Sequence, residues 1–234
     1  MKKFLFPALA VLSVLAGTAQ SSDNDNLQAR TVGAFHGISV SGGINLYIQS
    51  GPQSVSVSAS DVSSRDHIIT EVEDGILKIY MEKGYSGSRD KAKLKAFVSL
   101  TALSKLSASG GSDTYLQTAF SVKDLEVNLS GGSNLKGKLS ADDLFIRQSG
   151  GSDVDLSGMV KSLTIKASGG SDLHGFDLIT DHTSIEASGG SKAHVTVNKE
   201  LKVVASGGSD VFYKGAATVS EMKSSGSSSV VKKG

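Results

Sequence analysis

Apolar and polar residues alternate in short runs along the second half of the chain, and each run leads into the same tetrapeptide, Ser-Gly-Gly-Ser. Counted from the first glycine of each copy, positions −6, −4 and −2 are mostly apolar and the residues between them are mostly polar. Such alternation is typical of a strand with one buried face. Position +4, and often +6, is again apolar, which predicts a second strand after the glycines. The clearest runs before the glycines are Leu125-x-Val127-x-Leu129, Leu163-x-Ile165-x-Ala167 and Leu201-x-Val203-x-Ala205.

The spacing of the tetrapeptide is nearly constant. Successive copies are 21, 19, 19, 20 and 18 residues apart, and a degraded seventh copy, Ser225-Gly226-Ser227-Ser228, follows after 19 more. A fixed period in this range is the signature of a stacked repeat, in which one copy cannot bury its apolar face alone. The six complete copies begin at Ser109, Ser130, Ser149, Ser168, Ser188 and Ser206.

The repeat predicts an all-β fold, a single-stranded parallel β-helix (solenoid) with rungs of about 19–20 residues. Each rung is expected to contain a strand, a Gly-Gly corner, a second strand and a connection of several residues. Glycine suits a corner because it accepts positive φ and the close approach of another backbone. A β-sandwich is the structural alternative, but it would not explain a Gly-Gly corner kept at this period.

The first half of the chain is less regular but contains a relative of the motif, Ser41-Gly42-Gly43, with apolar residues at the matching positions. Two β-type runs, Ile68–Glu73 and Ile76–Met81, flank Asp74-Gly75, and an Asp-Gly pair in this setting is a strong hairpin signal. We expect an antiparallel hairpin that caps the solenoid, because an exposed first rung would present an open edge.

The N-terminus has the pattern of a signal peptide. Lys2 and Lys3 precede an apolar run from Phe4 to Ala16, and small residues near Ala19 suit cleavage. A transmembrane anchor is the alternative, although the run is short for one. The predicted organisation is a signal peptide (1–19), a flexible mature N-terminus (20–34), an N-terminal β region with the hairpin (35–103) and the repeat solenoid (104–234), the last two forming one domain.

Composition restricts the choice of partners. Cleavage would remove Lys2 and Lys3 and leave 22 basic against 23 acidic residues, a net charge of 22 − 23 = −1. This balance argues against nucleic acid as a partner. The chain has no cysteine, so its stability must come from packing and hydrogen bonds rather than disulfides. No later segment is apolar enough to predict a membrane-spanning helix in the mature chain.

Three motifs resemble a known family. Gly43-Ile44-Asn45 follows a Phe35-x-x-Ile38-x-Val40 lead-in, Asp74-Gly75-Ile76-Leu77-Lys78-Ile79 matches a hairpin motif, and Leu103-x-x-Leu106-x-x-x-Gly110 precedes the repeats. Together with the repeats, from about Phe35 to Val231, they resemble the putative autotransporter adhesin, head GIN domain family, a domain of unknown function in secreted bacterial proteins. The resemblance implies a β-helical fold, an exported location and an adhesin-like role. It carries no catalytic residues over.

Position +3 holds mostly acidic or amide side chains. Rungs in register would place them in a column, and neighbouring carboxylates about 4.8 Å apart would repel one another unless a cation bound. The simpler interpretation is that these side chains cap the Gly-Gly corner by hydrogen bonding to nearby backbone N–H groups. We predict caps and no metal site. The column consists of Asp113, Asn134, Asp153, Asp172, Lys192, Asp210 and Ser229.

The other candidate chemistry is a serine beside a histidine, since a nucleophilic hydroxyl needs a base. His174 and His194 both fall at +5, so we expect them to be near neighbours on successive rungs. We interpret them as a surface feature and the flanking serines as hydroxyl columns of the corners. The sequence therefore predicts no catalytic, cofactor-binding or metal residues.

The functional prediction is an exported, non-catalytic module, adhesin-like or structural, in the periplasm, at the cell surface or secreted. The sequence does not identify its partner, and the candidates are a glycan and an extracellular protein. Two alternatives stay open. One is a polysaccharide-active enzyme, because such enzymes also use parallel β-helices, although fold alone does not carry function. The other is a structural element that associates with copies of itself.

Overall fold

A computed structural model describes residues 26–85 and 93–234, and the predicted signal peptide lies outside them. Strands account for 65% of the chain and helix for 2%, which confirms the all-β class. Within the described residues the one helix is α1, Val62–Asp66, whose N-cap Asp61 accepts a hydrogen bond from the Ser64 backbone N–H. The strands are β1 Gln28–Ala29, β2 Gly37–Ser41, β3 Asn45–Ser50, β4 Ser54–Ser58, β5 Ile68–Glu73, β6 Ile76–Met81, β7 Lys95–Leu100, β8 Lys105–Ser109, β9 Asp113–Leu116, β10 Phe120–Leu129, β11 Asn134–Gln148, β12 Asp153–Ala167, β13 Asp172–Ala187, β14 Lys192–Ala205, β15 Asp210–Lys214, β16 Thr218–Ser224 and β17 Ser229–Lys232.

The repeats form a parallel β-solenoid of about seven turns, as predicted. Strands β10 to β14 pair in parallel with the same repeat position opposite itself in each neighbouring rung. Ile146, for example, lies opposite Val127 on one side and Ile165 on the other. Because register is kept, each repeat position becomes a column of side chains running along the solenoid.

The core consists of these apolar columns. At position −4 the five side chains from β10 to β14 are all 0% exposed. Burying one such aliphatic side chain contributes about 1.5–3 kcal/mol, so the column is a main source of stability in a chain without disulfides. Its members are Val127, Ile146, Ile165, Ile185 and Val203.

The predicted connection between rungs is where the structure differs from the sequence analysis. In the middle rungs the backbone stays paired through this segment, so β11, β12 and β13 each run for 15 or 16 residues from one Gly-Gly corner to the next. Buried peptide groups need hydrogen-bond partners, and the neighbouring rung supplies them. Leu139, Val160 and Leu178 are buried here and extend the core. Register shifts in β13 and β14 accommodate the unequal repeat lengths.

The N-terminal hairpin caps the solenoid as predicted. β5 and β6 are antiparallel across Asp74-Gly75, both of which have positive φ. β6 also pairs in parallel with β2, which belongs to the first rung and pairs on its other side with β8. The hairpin therefore covers the edge that the first rung would otherwise expose.

A second layer of cap strands covers the other half of the first rung. β3 pairs in parallel with both β7 and β9, and β7 is also antiparallel to β4. β1 then adds to β4. Residues 20–25 of the segment predicted to be flexible (20–34) lie outside the described residues, and in the described part Gln28–Ala29 are hydrogen-bonded to the edge of β4.

The described residues contain no helix with both the length and the apolar character needed to span a bilayer.

Candidate functional site

The Gly-Gly corners have two conformations. In the copies up to Gly151 both glycines have positive φ, for example 63° at Gly131 and 74° at Gly132, the pattern of a type I′ turn. From Gly169 onward only the first glycine has positive φ, as in a type II′ turn. The degraded copy has Gly226 at the first position and Ser227 at the second, so it matches the second conformation. The second conformation needs no positive φ at the second position, which explains why serine can replace glycine there in the degraded copy.

The corner is capped by the second serine of the tetrapeptide, not by the +3 residue. The serine is fully buried in the complete copies. In four of them its hydroxyl donates to the backbone carbonyl of the first serine, as Ser133 does to Ser130 at 2.8 Å and Ser209 to Ser206 at 2.9 Å. The Ser112 hydroxyl instead accepts from the Ile44 backbone N–H, and the Ser152 hydroxyl has no hydrogen-bond partner among the described residues. A buried hydroxyl needs a hydrogen-bond partner, and in the four copies the carbonyl of the first serine supplies it. The prediction of a hydroxyl column at the corner is confirmed.

The +3 residues are in register, as predicted, but they hydrogen bond along the column rather than to the corner. The Asn134 side-chain amide donates to Asp113 Oδ1 at 2.8 Å, and its carbonyl accepts from the Asp153 backbone N–H at 3.2 Å. The Ser229 hydroxyl donates to Asp210. For Asp113, Asn134, Asp210 and Ser229 the predicted capping is therefore wrong, because these side chains bond to the neighbouring rung instead.

No group of three or more potential metal ligands of the His, Cys, Asp and Glu type occurs in residues 26–85 and 93–234. Asp153 and Asp172 are carboxylates at +3 on neighbouring strands.

The +5 positions, next to the +3 column, contain aromatic rings at both ends of the solenoid. At the N-terminal end Tyr47 stacks on Phe97 on one side and on Tyr115 on the other, with ring centroids 5.2 and 5.1 Å apart. These residues lie on β7, β3 and β9, which are adjacent in the sheet although distant in the sequence. We call Phe97, Tyr47 and Tyr115 the ring row. The ring row was not predicted, because Phe97 lies on a cap strand outside the repeats and the pairing of β3 with β7 and β9 is not evident from the sequence.

A second stack lies at the C-terminal end of the same positions. His174 and His194 are opposite each other on β13 and β14, with centroids 5.6 Å apart, so the predicted neighbours are confirmed. Phe212 stacks on His194 at 5.0 Å, and Phe176 meets the His194 ring edge-on. Burial lowers the pKa of His194, since a partly buried imidazole is harder to charge. The imidazole therefore stays neutral near pH 7 and packs as an aromatic ring.

Between the two stacks, Lys136 pairs with Asp155 at 2.8 Å.

A Ser–His contact exists, but it does not involve a corner serine. His36 Nδ1 lies 2.9 Å from the Ser104 hydroxyl, on the exposed surface where β2 and β8 begin. The Ser104 hydroxyl also donates to the His36 backbone carbonyl at 3.2 Å. A nucleophilic serine needs its proton directed to the base. The competing bond to the carbonyl favours a structural role for this pair.

A shallow groove of about 380 Å³ beside Ser104 collects the carboxylates Asp124, Glu126 and Asp143. Glycoside hydrolysis needs one carboxyl with a raised pKa to act as the acid. The pKa of Glu126 is instead lowered, mainly by the hydrogen bond from the Asn128 amide at 2.8 Å, so this carboxylate is charged. Glu126 therefore does not meet the requirement for the acid.

The fold and its surface define the class of protein as a β-solenoid with rows of partly exposed side chains on a rigid sheet. The chain matches the family described as "Putative auto-transporter adhesin, head GIN domain" over residues 34–217, and it belongs to that family. This confirms the resemblance found in the sequence. The family suggests an extracellular or envelope protein and an adhesin-like role rather than an enzymatic one.

Solved structures with the same fold include three bacterial proteins. A putative adhesin from Bacteroides fragilis has 18% identity and a TM-score of 0.80, with 90% of this chain and 99% of that one covered. A putative adhesin from Parabacteroides merdae has 18% identity and a TM-score of 0.70, with 90% and 98% covered. A putative lipid binding protein from Parabacteroides distasonis has 20% identity and a TM-score of 0.68, with 91% and 98% covered. No curated protein matches the chain.

Proposed function

We propose that the protein is a non-catalytic, adhesin-like binding module that is exported by its N-terminal signal peptide and acts in the envelope or outside the cell. The observation that carries the proposal is the outward face formed by positions +3, +5 and +7. Here a continuous sheet holds aromatic, amide, hydroxyl and charged side chains in fixed rows, and successive side chains of a row lie about 4.8 Å apart. Such a surface suits recognition, because the side chains are positioned by backbone pairing rather than by mobile loops.

The partner in this proposal is a glycan or an extracellular protein. The test is an array of glycans and extracellular-matrix proteins probed with the purified mature chain, with product analysis of every bound glycan. We expect binding without cleavage. Release of shortened glycan would contradict the non-catalytic proposal and favour the polysaccharide-active alternative. Surface labelling of intact cells would separate a surface location from a periplasmic one.

A second candidate, lipid binding, rests on one feature of the connection side. Met159 and Ile179 lie opposite each other on β12 and β13 with 63% and 45% of their surface exposed, beside a groove of about 460 Å³. Ion pairs flank the groove, Asp142 with Lys161 and Asp181 with Lys199. Flotation of the protein with phosphatidylcholine vesicles tests this candidate. Capture that Met159→Ser and Ile179→Ser together abolish would favour it; no capture by the wild type would contradict it.

Light scattering at micromolar concentration tests the remaining alternative, self-association. A stable oligomer that leaves the +3, +5 and +7 face unreactive in the array would favour a structural element over a binding module.

A further inference from the structure

The N-terminal end of the binding face contains a small cavity whose lining differs from the rest of the surface. It has a volume of about 150 Å³, and Tyr47 and Phe97 form its aromatic wall. Gln49 and Gln117 supply amides, and Ser54 and Ser56 supply hydroxyls. The side chains that line it carry no charge at neutral pH, in contrast to the larger grooves, which are bordered by Lys, Asp or Glu.

Strand pairing places these groups in two parallel rows. Ser56 lies opposite Phe97 and continues the ring row, while Ser54 lies opposite Ser99 in the row beside it. Gln49 lies opposite Ser99, and its other neighbour is Gln117, which follows the paired residues Ile48 and Leu116. The four strands span about 14 Å, three interstrand steps of about 4.8 Å. The patch is therefore longer than the cavity and has room for a short chain of linked units.

The polar groups of this patch are available to a ligand. Within the described residues, the side chains of Gln49, Gln117, Ser54 and Ser56 form no hydrogen bond to the protein, and Gln49, Gln117 and Ser54 are exposed. Each glutamine amide offers two donors and a carbonyl acceptor, and each serine hydroxyl both donates and accepts. This set matches a ligand whose own groups donate and accept at once, as sugar hydroxyls do.

The rings supply the apolar part of such a site. Tyr47, Phe97 and Tyr115 are each half-buried, so they are held by the sheet but keep part of their surface open. Tyr47 is stacked on both faces, by Phe97 and by Tyr115, so the open face is the one that Phe97 turns toward Ser56. An aromatic face is electron-rich and attracts the weakly positive C–H groups that line one side of a sugar ring. Because Phe97 faces the small Ser56, no larger side chain covers the outer side of the ring row.

We propose that this patch binds neutral oligosaccharides. The inference rests on the proposed binding function and specifies its ligand and its place. A bound peptide is less suited to the patch, because β3, β7 and β9 are each paired on both edges. The outer edge of β4 is paired with β1 at Ser56 and Val57, which leaves little room for an added strand. An anionic glycan is less suited because the cavity offers no basic side chain.

The test uses neutral tetra- to hexasaccharides of glucose, mannose and galactose, with oligogalacturonate as the acidic control. The chain has no tryptophan and five tyrosines, so tyrosine fluorescence and saturation transfer from aromatic protons both report on the rings. We expect at least one neutral series to bind, with transfer to its C–H protons.

The variants separate the contributions. Tyr47→Phe keeps the ring and is expected to bind within about threefold of the wild type, whereas Tyr47→Thr is expected to bind at least tenfold more weakly. Gln49→Ala with Gln117→Ala should also weaken binding about tenfold, the equivalent of ~1.4 kcal/mol. Thr164→Ala, at position −5 and outside the +3, +5 and +7 face, is the control and should bind like the wild type. The two glutamines are exposed, so their variant keeps the test informative if Tyr47→Thr does not fold.

Each contrary result has a distinct meaning. Glycan binding that survives both Tyr47→Thr and the double glutamine change overturns this site but leaves the binding function intact. Binding of oligogalacturonate alone, or of a proline-rich peptide at these residues, overturns the neutral-glycan assignment. Failure to bind any glycan, matrix protein or cell surface overturns the proposed function as well.

Discussion

Gly190 donates its backbone N–H to the carbonyl oxygen of Gly169, one rung earlier, at 2.8 Å. At the corner of Gly110 and Gly111 the direction is reversed: Gly111 donates to Gly131, one rung later, at 3.0 Å. The reversal accompanies the loss of positive φ at the second glycine. The same tetrapeptide thus builds two corners that differ in the orientation of their central peptide group.

The two corner types predict opposite effects of alanine at the second glycine. Gly132 has φ of 74° and open space where a Cβ would lie, so Gly132→Ala should destabilise the protein by about 1–2 kcal/mol, the penalty for a left-handed L-residue. Gly190 lacks positive φ, and its Cβ would make an ordinary 3.8 Å contact, so Gly190→Ala should stabilise by about 0.4–1 kcal/mol. Urea unfolding of the two variants measures both changes in stability. Equal effects of the two substitutions would contradict the assignment of two corner types.

The first glycine of the corner should tolerate alanine less well than either Gly132 or Gly190 does. A Cβ on Gly189 would lie 2.9 Å from the Gly169 carbonyl oxygen, in addition to the strain from φ of 70°. Gly189→Ala should therefore lose more stability than Gly132→Ala in the same urea experiment. A smaller loss would mean that the rungs can separate locally at low cost.

The aliphatic column predicts a large cavity effect. Ile165 is 0% exposed and packs between Ile146 and Ile185, so Ile165→Ala should cost about 2–5 kcal/mol and Ile165→Val about 0.5–1.5 kcal/mol. Thr164→Ala, at the neighbouring outward position, is the control and should change stability by less than about 0.5 kcal/mol. Thermal melts rank the three, and a Thr164 effect as large as that of Ile165→Ala would contradict the inward orientation of position −4.

The lowered pKa of His194 predicts a pH effect of defined sign. Below pH 6.5, the ordinary pKa of histidine, the imidazole of the unfolded chain binds a proton that the imidazole of the folded chain resists. The contribution of neutral His194 to the free energy of unfolding is therefore fully present above pH 6.5 and is lost as the pH falls through the pKa of the folded state. His174 and Lys192 disfavour the charged form and Asp172 favours it, all secondary to burial. His194→Phe should keep the stack and lose less stability than the wild type between pH 7.5 and 5. Equal losses would show that His194 does not titrate as described.

The +3 column predicts little response to calcium. Asp113 and Asp210 already accept hydrogen bonds within the column, which leaves Asp153 and Asp172 as its adjacent carboxylates. Calcium at millimolar concentration, compared with sodium chloride of equal ionic strength, should not raise the thermal midpoint. A rise that Asp153→Asn abolishes would instead reveal a cation site.

The sequence was sufficient to predict the repeated elements because each one is local. Alternation at −6, −4 and −2 marks a strand face within six residues, and Asp74-Gly75 marks a hairpin within two. The sequence was not sufficient to predict the connections between rungs. Leu139 and Leu178 lie in segments where apolar and polar residues do not alternate regularly, and only their pairing with the next rung shows that they are buried strand residues.

By itself, then, the amino-acid sequence determined the solenoid, its period and the inward columns, because a repeat that keeps its register places equal positions side by side. Only the tertiary structure decided which serine caps the corner and which way the corner peptide points, since both depend on the rung before and after. It also decided the ring row: Phe97 and Tyr115 lie 50 and 68 positions from Tyr47 along the chain, and the cap strands bring all three onto one face.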